Sequence, residues 1–169
     1  MAEEEVREAC LQLLSVRPRS RAELSQRLRR KGYETVQIEP VLDRLVRVEL
    51  VDDVAFAQAW VQSRHMHSGR GRRALAAELR LKGVAEPAAS AALAQVDDAS
   101  EEERARELVR KRLRSMVTAV PGPDVPATVR KLLAMLARRG YPQEMALRVV
   151  REELAVRGAD GEESVFTGP

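Results

Sequence analysis

The sequence predicts an all-α fold of three tandem three-helix repeats, stacked into an elongated, curved body. Three observations lead there. Hydrophobic residues make up 44% of the 169 residues but aromatics only 3%, so the core must be built from Leu, Val and Ala, which suits packed helices. A short pattern, leucine–x–x–cation–glycine, occurs as "LRRKG" at 28–32, "LRLKG" at 79–83 and "LARRG" at 136–140, its glycines 51 and 57 residues apart. A second apolar stripe follows each glycine: Ile38, Val41 and Leu42; Ala89, Ala92 and Leu93; Ala146, Val149 and Val150.

In chain order, the acidic front "MAEEEVREAC" opens a helix over roughly 3–16. Ser20 with Glu23 fits a reciprocal capping box, and Leu24 and Leu28 line one face of the helix that follows. That helix ends at Lys31–Gly32, a cation at the negative end of the helix dipole and a glycine able to take the left-handed cap. Pro40 falls within the stripe Ile38–Val41–Leu42, so the helix that carries it either begins near Glu39 or kinks there. In the second repeat, Asp52 or Asp53 caps a helix over 53–66 that carries Phe56 and Trp60 as core anchors. Leu75 and Leu79 precede Lys82–Gly83, and Pro87 suits the first turn of the next helix. In the third repeat, Ser100 with Glu103 fits a capping box for a helix over 101–117. "MVTAVPGPDVP" at 116–126 reads as a linker, Leu132 and Leu136 precede Arg139–Gly140, and Pro142 opens the last helix. The expected boundaries are 1–51, 52–98 and 99–157, with 158–169 a flexible tail. Units this small bury little alone, so neighbours should stack.

No apolar run approaches a membrane span, and no charged-then-apolar leader opens the chain. Cys10, the single cysteine, excludes an internal disulfide, fits a reducing cytosol and is expected in the core. The formal net charge is +3, and 25 of the 29 basic residues are arginine, a side chain suited to carboxylate or phosphate. His65 and His67 diverge on a helix and are expected exposed at its end, not as a metal pair. The carboxylates of "DDASEEE" at 97–103 mark a helix start, and Gly69 and Gly71 lack the strand and the Gly-Lys-Ser/Thr ending of a phosphate loop. No catalytic residue, metal or cofactor is expected.

The basic clusters recur at equivalent places in the repeats. Lys31, Arg70, Arg72, Arg73, Lys82 and Arg139 are the candidate partner-binding residues, expected to form a periodic stripe facing a long acidic target.

Four stretches together resemble the RecX family, bacterial regulators of the RecA recombinase. They are "RSRAELSQRLRRKG" at 19–32, "LVDDVAFAQAWVQSR" at 50–64, "GRGRRALAAELRLKG" at 69–83 and "RKLLAMLARRGY" at 130–141, and the resemblance spans about 15–155. It departs at "VEL", 48–50, where the family often has glycine before the Asp pair, and at Tyr141, where phenylalanine is common. The resemblance implies a three-repeat helical regulator that binds along the groove of the RecA–DNA filament. A cytoplasmic, non-enzymatic monomer with a secondary contact to single- or double-stranded DNA is the accompanying expectation. Such a regulator restrains the filament's ATPase, its strand exchange and its support of LexA self-cleavage, and so modulates recombinational repair and the SOS response. The competing reading is a helix-turn-helix-like protein acting on DNA directly. The chain has no asparagine and spreads its arginines over all three repeats, which favours backbone or protein contact over base readout.

Overall fold

The computed structural model describes residues 2–117 and 125–163, and among these every regular element is a helix. They are α1 (Ala2–Val16), α2 (Arg21–Arg30), α3 (Thr35–Arg47), α4 (Asp53–Ser68), α5 (Arg72–Leu81), α6 (Glu86–Leu93), α7 (Asp98–Val117), α8 (Val125–Arg138) and α9 (Gln143–Glu163). They fall into three sets of three, each with its glycine after the middle helix. Gly32, Gly83 and Gly140 take φ of 95°, 68° and 86°, the left-handed cap that their place after a leucine stripe predicts.

The chain divides into two compact units. Residues 1–63 and 76–95 form the first and residues 64–75 and 96–169 the second, so the middle repeat contributes to both. In the first unit α1, α2 and α3 pack around Val6, Cys10, Leu24, Leu28, Ile38 and Leu42, all fully buried. Burial pushes the Cys10 thiol up to about 11, an inert core thiol. Phe56 is buried and stacks on the half-buried Trp60 with ring centroids 5.7 Å apart. In the second unit α9 lies against α7 and α8 over Val109, Leu132, Leu136 and Val149.

The structure corrects some local expectations and decides between the alternatives in others. The third helix begins at Thr35, with Glu34 and Gln37 forming its capping box, so Pro40 lies inside it. Ser20 accepts from the Glu23 N–H at 3.2 Å, but the Glu23 carboxylate pairs with Arg17 and Lys82 instead of completing a box. Asp97, not Ser100, caps α7, its Oδ1 accepting from the Ser100 N–H at 2.7 Å. Asp52 caps α4 by accepting from Ala55 N–H, which leaves Asp53 for another partner. Of the expected linker, 116–117 and 125–126 are helical and 118–124 lie outside the described residues. Residues 158–163, expected in a tail, continue α9, and 164–169 again lie outside them.

Candidate partner-binding surface

The cation–glycine pairs that drew attention in the sequence have a structural task in two of the three repeats. In the first unit α2 opens at Ser20 and Arg21. The Arg21 N–H donates to Asp53 Oδ1 at 2.8 Å, and Ser20 Oγ donates to the Lys82 carbonyl at 2.5 Å. Gly83 lies so close to Ala22 that a Cβ on it would collide with the Ala22 Cβ. The Lys82 ammonium donates to Glu23 Oε1 at 2.7 Å and stands 4.8 Å from the Trp60 ring centroid, and Trp60 Nε1 donates to Glu78 at 2.9 Å. Arg17 completes the cluster on Glu23 at 2.8 Å. Burial alone would raise the Glu23 pKa, but the hydrogen bonds and charges of Arg17 and Lys82 outweigh it and bring it down to about 2.

The second unit repeats the arrangement one repeat later. The Arg72 N–H donates to Glu101 Oε1 at 2.7 Å, the place that Arg21 and Asp53 hold in the first unit. The Gly71 N–H donates to the Arg139 carbonyl at 2.8 Å, and Gly140 lies against Ala74. The Arg72 guanidinium adds a 3.1 Å bond to Glu101 and a contact to Asp98. Glu101 is fully buried, and a buried carboxylate persists only when it is paired and hydrogen-bonded, as here. Arg139 donates to the Ser68 carbonyl and Tyr141 Oη to the Gly69 carbonyl at 3.0 Å. Burial drives the Tyr141 phenol well above its ordinary pKa, so it stays a donor. His65, expected exposed, is buried. Its Nδ1 lies 2.8 Å from the Arg70 carbonyl, which requires that nitrogen to donate, and its own carbonyl accepts from Arg104 at 3.2 Å.

Each unit thus contains one junction between successive repeats. A carboxylate from the following repeat caps the middle helix, and the cation–glycine turn of that repeat seats on the first residues of the same helix. The six candidate cations separate accordingly. Lys82, Arg72 and Arg139 are engaged in junctions. Arg70 is half-buried and its guanidinium reaches the Arg138 carbonyl at 3.4 Å. Lys31 and Arg73 are exposed, and no ion pair among the described residues involves either. Arg70, Arg72, Arg73 and Arg139 come together around the 68–73 turn of the second unit, whereas Lys31 and Lys82 belong to the first.

Asp53, Glu23 and Glu101 hold the junctions, whereas sequence reading gave Asp53 and Glu23 only local capping roles and took the stretch around Glu101 as a helix start. The local signal existed, since "VDD" and "DASEEE" both place carboxylates where a first helix opens, but a helix start was the simpler reading. Among the described residues no group of three or more metal-ligating side chains gathers, and no helix is long and apolar enough to cross a membrane.

Comparison with known proteins follows the same three-part division. The family models for the first, second and third three-helix domains of RecX match residues 7–45, 52–93 and 100–150. A regulatory protein RecX of Mycobacterium sp. (strain JLS) is 52% identical over 154 residues, covering 90% of this chain and 84% of that protein. Its counterpart in Amycolatopsis mediterranei (strain U-32) is 49% identical, covering 91% and 86%. The crystal structure of RecX from Lactobacillus salivarius superposes with a TM-score of 0.75 at 20% identity, covering 90% of this chain and 96% of that one. A second crystal structure of a regulatory protein RecX gives 0.77 at 22% identity, covering 88% and 72%.

Proposed function

The chain belongs to the RecX family, and on that premise we propose that it is a non-enzymatic, cytoplasmic regulator that binds the RecA–DNA filament. Binding there inhibits the filament's ATPase, recombinase and LexA-coprotease activities, and so modulates recombinational repair and the SOS response. The observation that carries this reading is the match of all three RecX domains, in order, across one chain whose relatives are named regulatory proteins. Lys31 and Arg73 make the filament contacts from exposed positions outside the junctions, and Arg70 joins them from the turn that precedes α5. Lys82, Arg72 and Arg139 act one step back, holding the repeats that present them.

The test is a titration of the full chain into RecA assembled on single-stranded DNA with ATP, following hydrolysis, beside a titration into the same DNA alone. Inhibition well below one molecule per RecA protomer, with weak binding to bare DNA, is the expected result. Unchanged hydrolysis with tight binding to bare DNA would favour the nucleic-acid reading. In that case affinity should fall by roughly 0.9 log units per log of salt for each phosphate contacted.

A further inference from the structure

The first two repeats align residue for residue at an offset of 51, the spacing of Gly32 and Gly83. Val6 and Cys10 of α1 correspond to Ala57 and Val61 of α4, and all four are fully buried, so the two helices present the same face to the core. Under that alignment Lys31 corresponds to Lys82. The position of Trp60 is held by Ala9. In the second repeat the indole fills the space beside Lys82, with the ammonium over its ring. In the first repeat the Lys31 side of the helix is an open hollow of about 580 Å³, lined by Glu4, Glu5, Glu8, Gln12, Lys31 and Tyr33, with the largely buried Ala9 at its floor. Third-repeat equivalence runs through the junction acids, Asp53 to Glu101, which sets Leu108 at the Trp60 position, again a large side chain. Of the three repeats, the first has only a methyl at this position, 6% exposed, with Tyr33 packed on the core beside it.

We propose that this hollow is a docking site for an aromatic side chain of a protein partner, laid against Tyr33 above the floor at Ala9, with Lys31 over its face as Lys82 lies over Trp60. The three glutamates fix the rest of the chemistry. They favour a segment in which the aromatic residue is flanked by lysines or arginines, and they repel the phosphates that would accompany a stacked nucleobase. An inserted indole gains apolar burial on Tyr33 and the Lys31 stem, a cation over its face and carboxylates for its cationic neighbours. The site belongs to the first unit alone, and it stands whether or not the partner is RecA.

The probe is the end-blocked pentapeptide Lys-Lys-Trp-Lys-Lys, compared with Lys-Lys-Ala-Lys-Lys and Glu-Glu-Trp-Glu-Glu. Binding to the full chain is followed by NMR at the Ala9 methyl and the Tyr33 ring. The tryptophan–lysine peptide should shift both resonances and bind at least tenfold more tightly than either comparison peptide. Ala9→Trp, which fills the hollow from within, should abolish binding. Lys31→Ala, at an exposed position that leaves folding untouched, should weaken it severalfold with thermal unfolding unchanged. It decides the matter if Ala9→Trp does not fold. Absent or equal binding by the tryptophan and alanine peptides would overturn the proposal, as would preference for the acidic peptide. A dodecathymidylate that displaced the peptide from Ala9 would assign the hollow to nucleic acid instead.

Discussion

Glu49 is the one non-glycine residue with positive φ among the described residues, at 57°. It closes α3 as glycine does elsewhere in the chain: beyond it the Leu50 and Val51 N–H groups both return to the Leu45 carbonyl, at 2.9 and 3.2 Å. A Cβ in this conformation costs about 1–2 kcal/mol, part of which glycine would give back through the freer unfolded chain. Glu49→Gly should therefore raise stability by about 0.5–1 kcal/mol in urea denaturation, with an unchanged m-value. A loss of stability would show that the glutamate side chain offsets its own strain. This is the stretch where the RecX resemblance departs from glycine, and the departure is tolerated because it concerns one backbone angle and no packing. The cap glycines differ among themselves for a related reason. Nothing lies within 4 Å of a Cβ built on Gly32, whereas one on Gly140 would strike the Ala74 backbone. Gly32→Ala should cost about 1 kcal/mol for the dihedral alone, and Gly140→Ala about 3 kcal/mol or more. Equal costs would mean that α5 yields easily at this contact.

At the scale of helices, the junctions depend on carboxylates that cap a helix from outside its own repeat. Removing the Glu101 carboxylate leaves the Arg72 N–H and guanidinium without their buried acceptor. Glu101→Ala should cost about 2–4 kcal/mol and Glu101→Gln less, because an amide oxygen can still accept from the N–H. Indistinguishable melting curves for wild type and Glu101→Ala would show that water replaces the cap. The first junction has a pH signature. The folded Glu23 pKa, about 2, lies below its ordinary value near 4.5, so the ionised carboxylate stabilises the fold. That contribution, on the order of 3 kcal/mol, is fully present above about pH 4.5 and is lost as pH falls toward 2. Glu23→Gln should flatten this part of the acid-unfolding curve, and an unchanged acid limb would place the titrating groups elsewhere. The repeats were legible because leucine spacing, a cation and a glycine act within one turn of helix. The junctions were not. Arg72 and Glu101 are 29 residues apart and Glu23 and Lys82 are 59, so nothing local marks them as partners. Lys82 and Arg139 consequently read as surface cations, and His65 as a loose helix end, when tertiary contacts hold all three.

For the molecule as a whole, the question is whether partner binding depends on three placed cations or on overall charge. The formal net charge is +3, so Lys31→Glu with Arg70→Glu and Arg73→Glu takes it to −3, each substitution removing one positive charge and adding a negative one. That change alone would slow association with any acidic assembly. The control is a second triple variant, Arg112→Glu, Arg130→Glu and Arg151→Glu, which alters three exposed arginines and reaches the same −3. If the candidate residues touch the filament, the first variant should lose at least tenfold in affinity for RecA on single-stranded DNA, while the second keeps most of it at physiological salt. At that ionic strength the Debye length of about 8 Å screens distant charges but not direct contacts. Far-UV circular dichroism should be the same for wild type and both variants, because Lys31 and Arg73 are exposed outside the junctions and Arg70 follows α4 in the turn before α5, where a side-chain change leaves the helical backbone bonds in place. Equal losses in the two variants would reduce the basic clusters to a diffuse field. Equal retention would move the contact away from the cations altogether, toward the uncharged parts of the repeats.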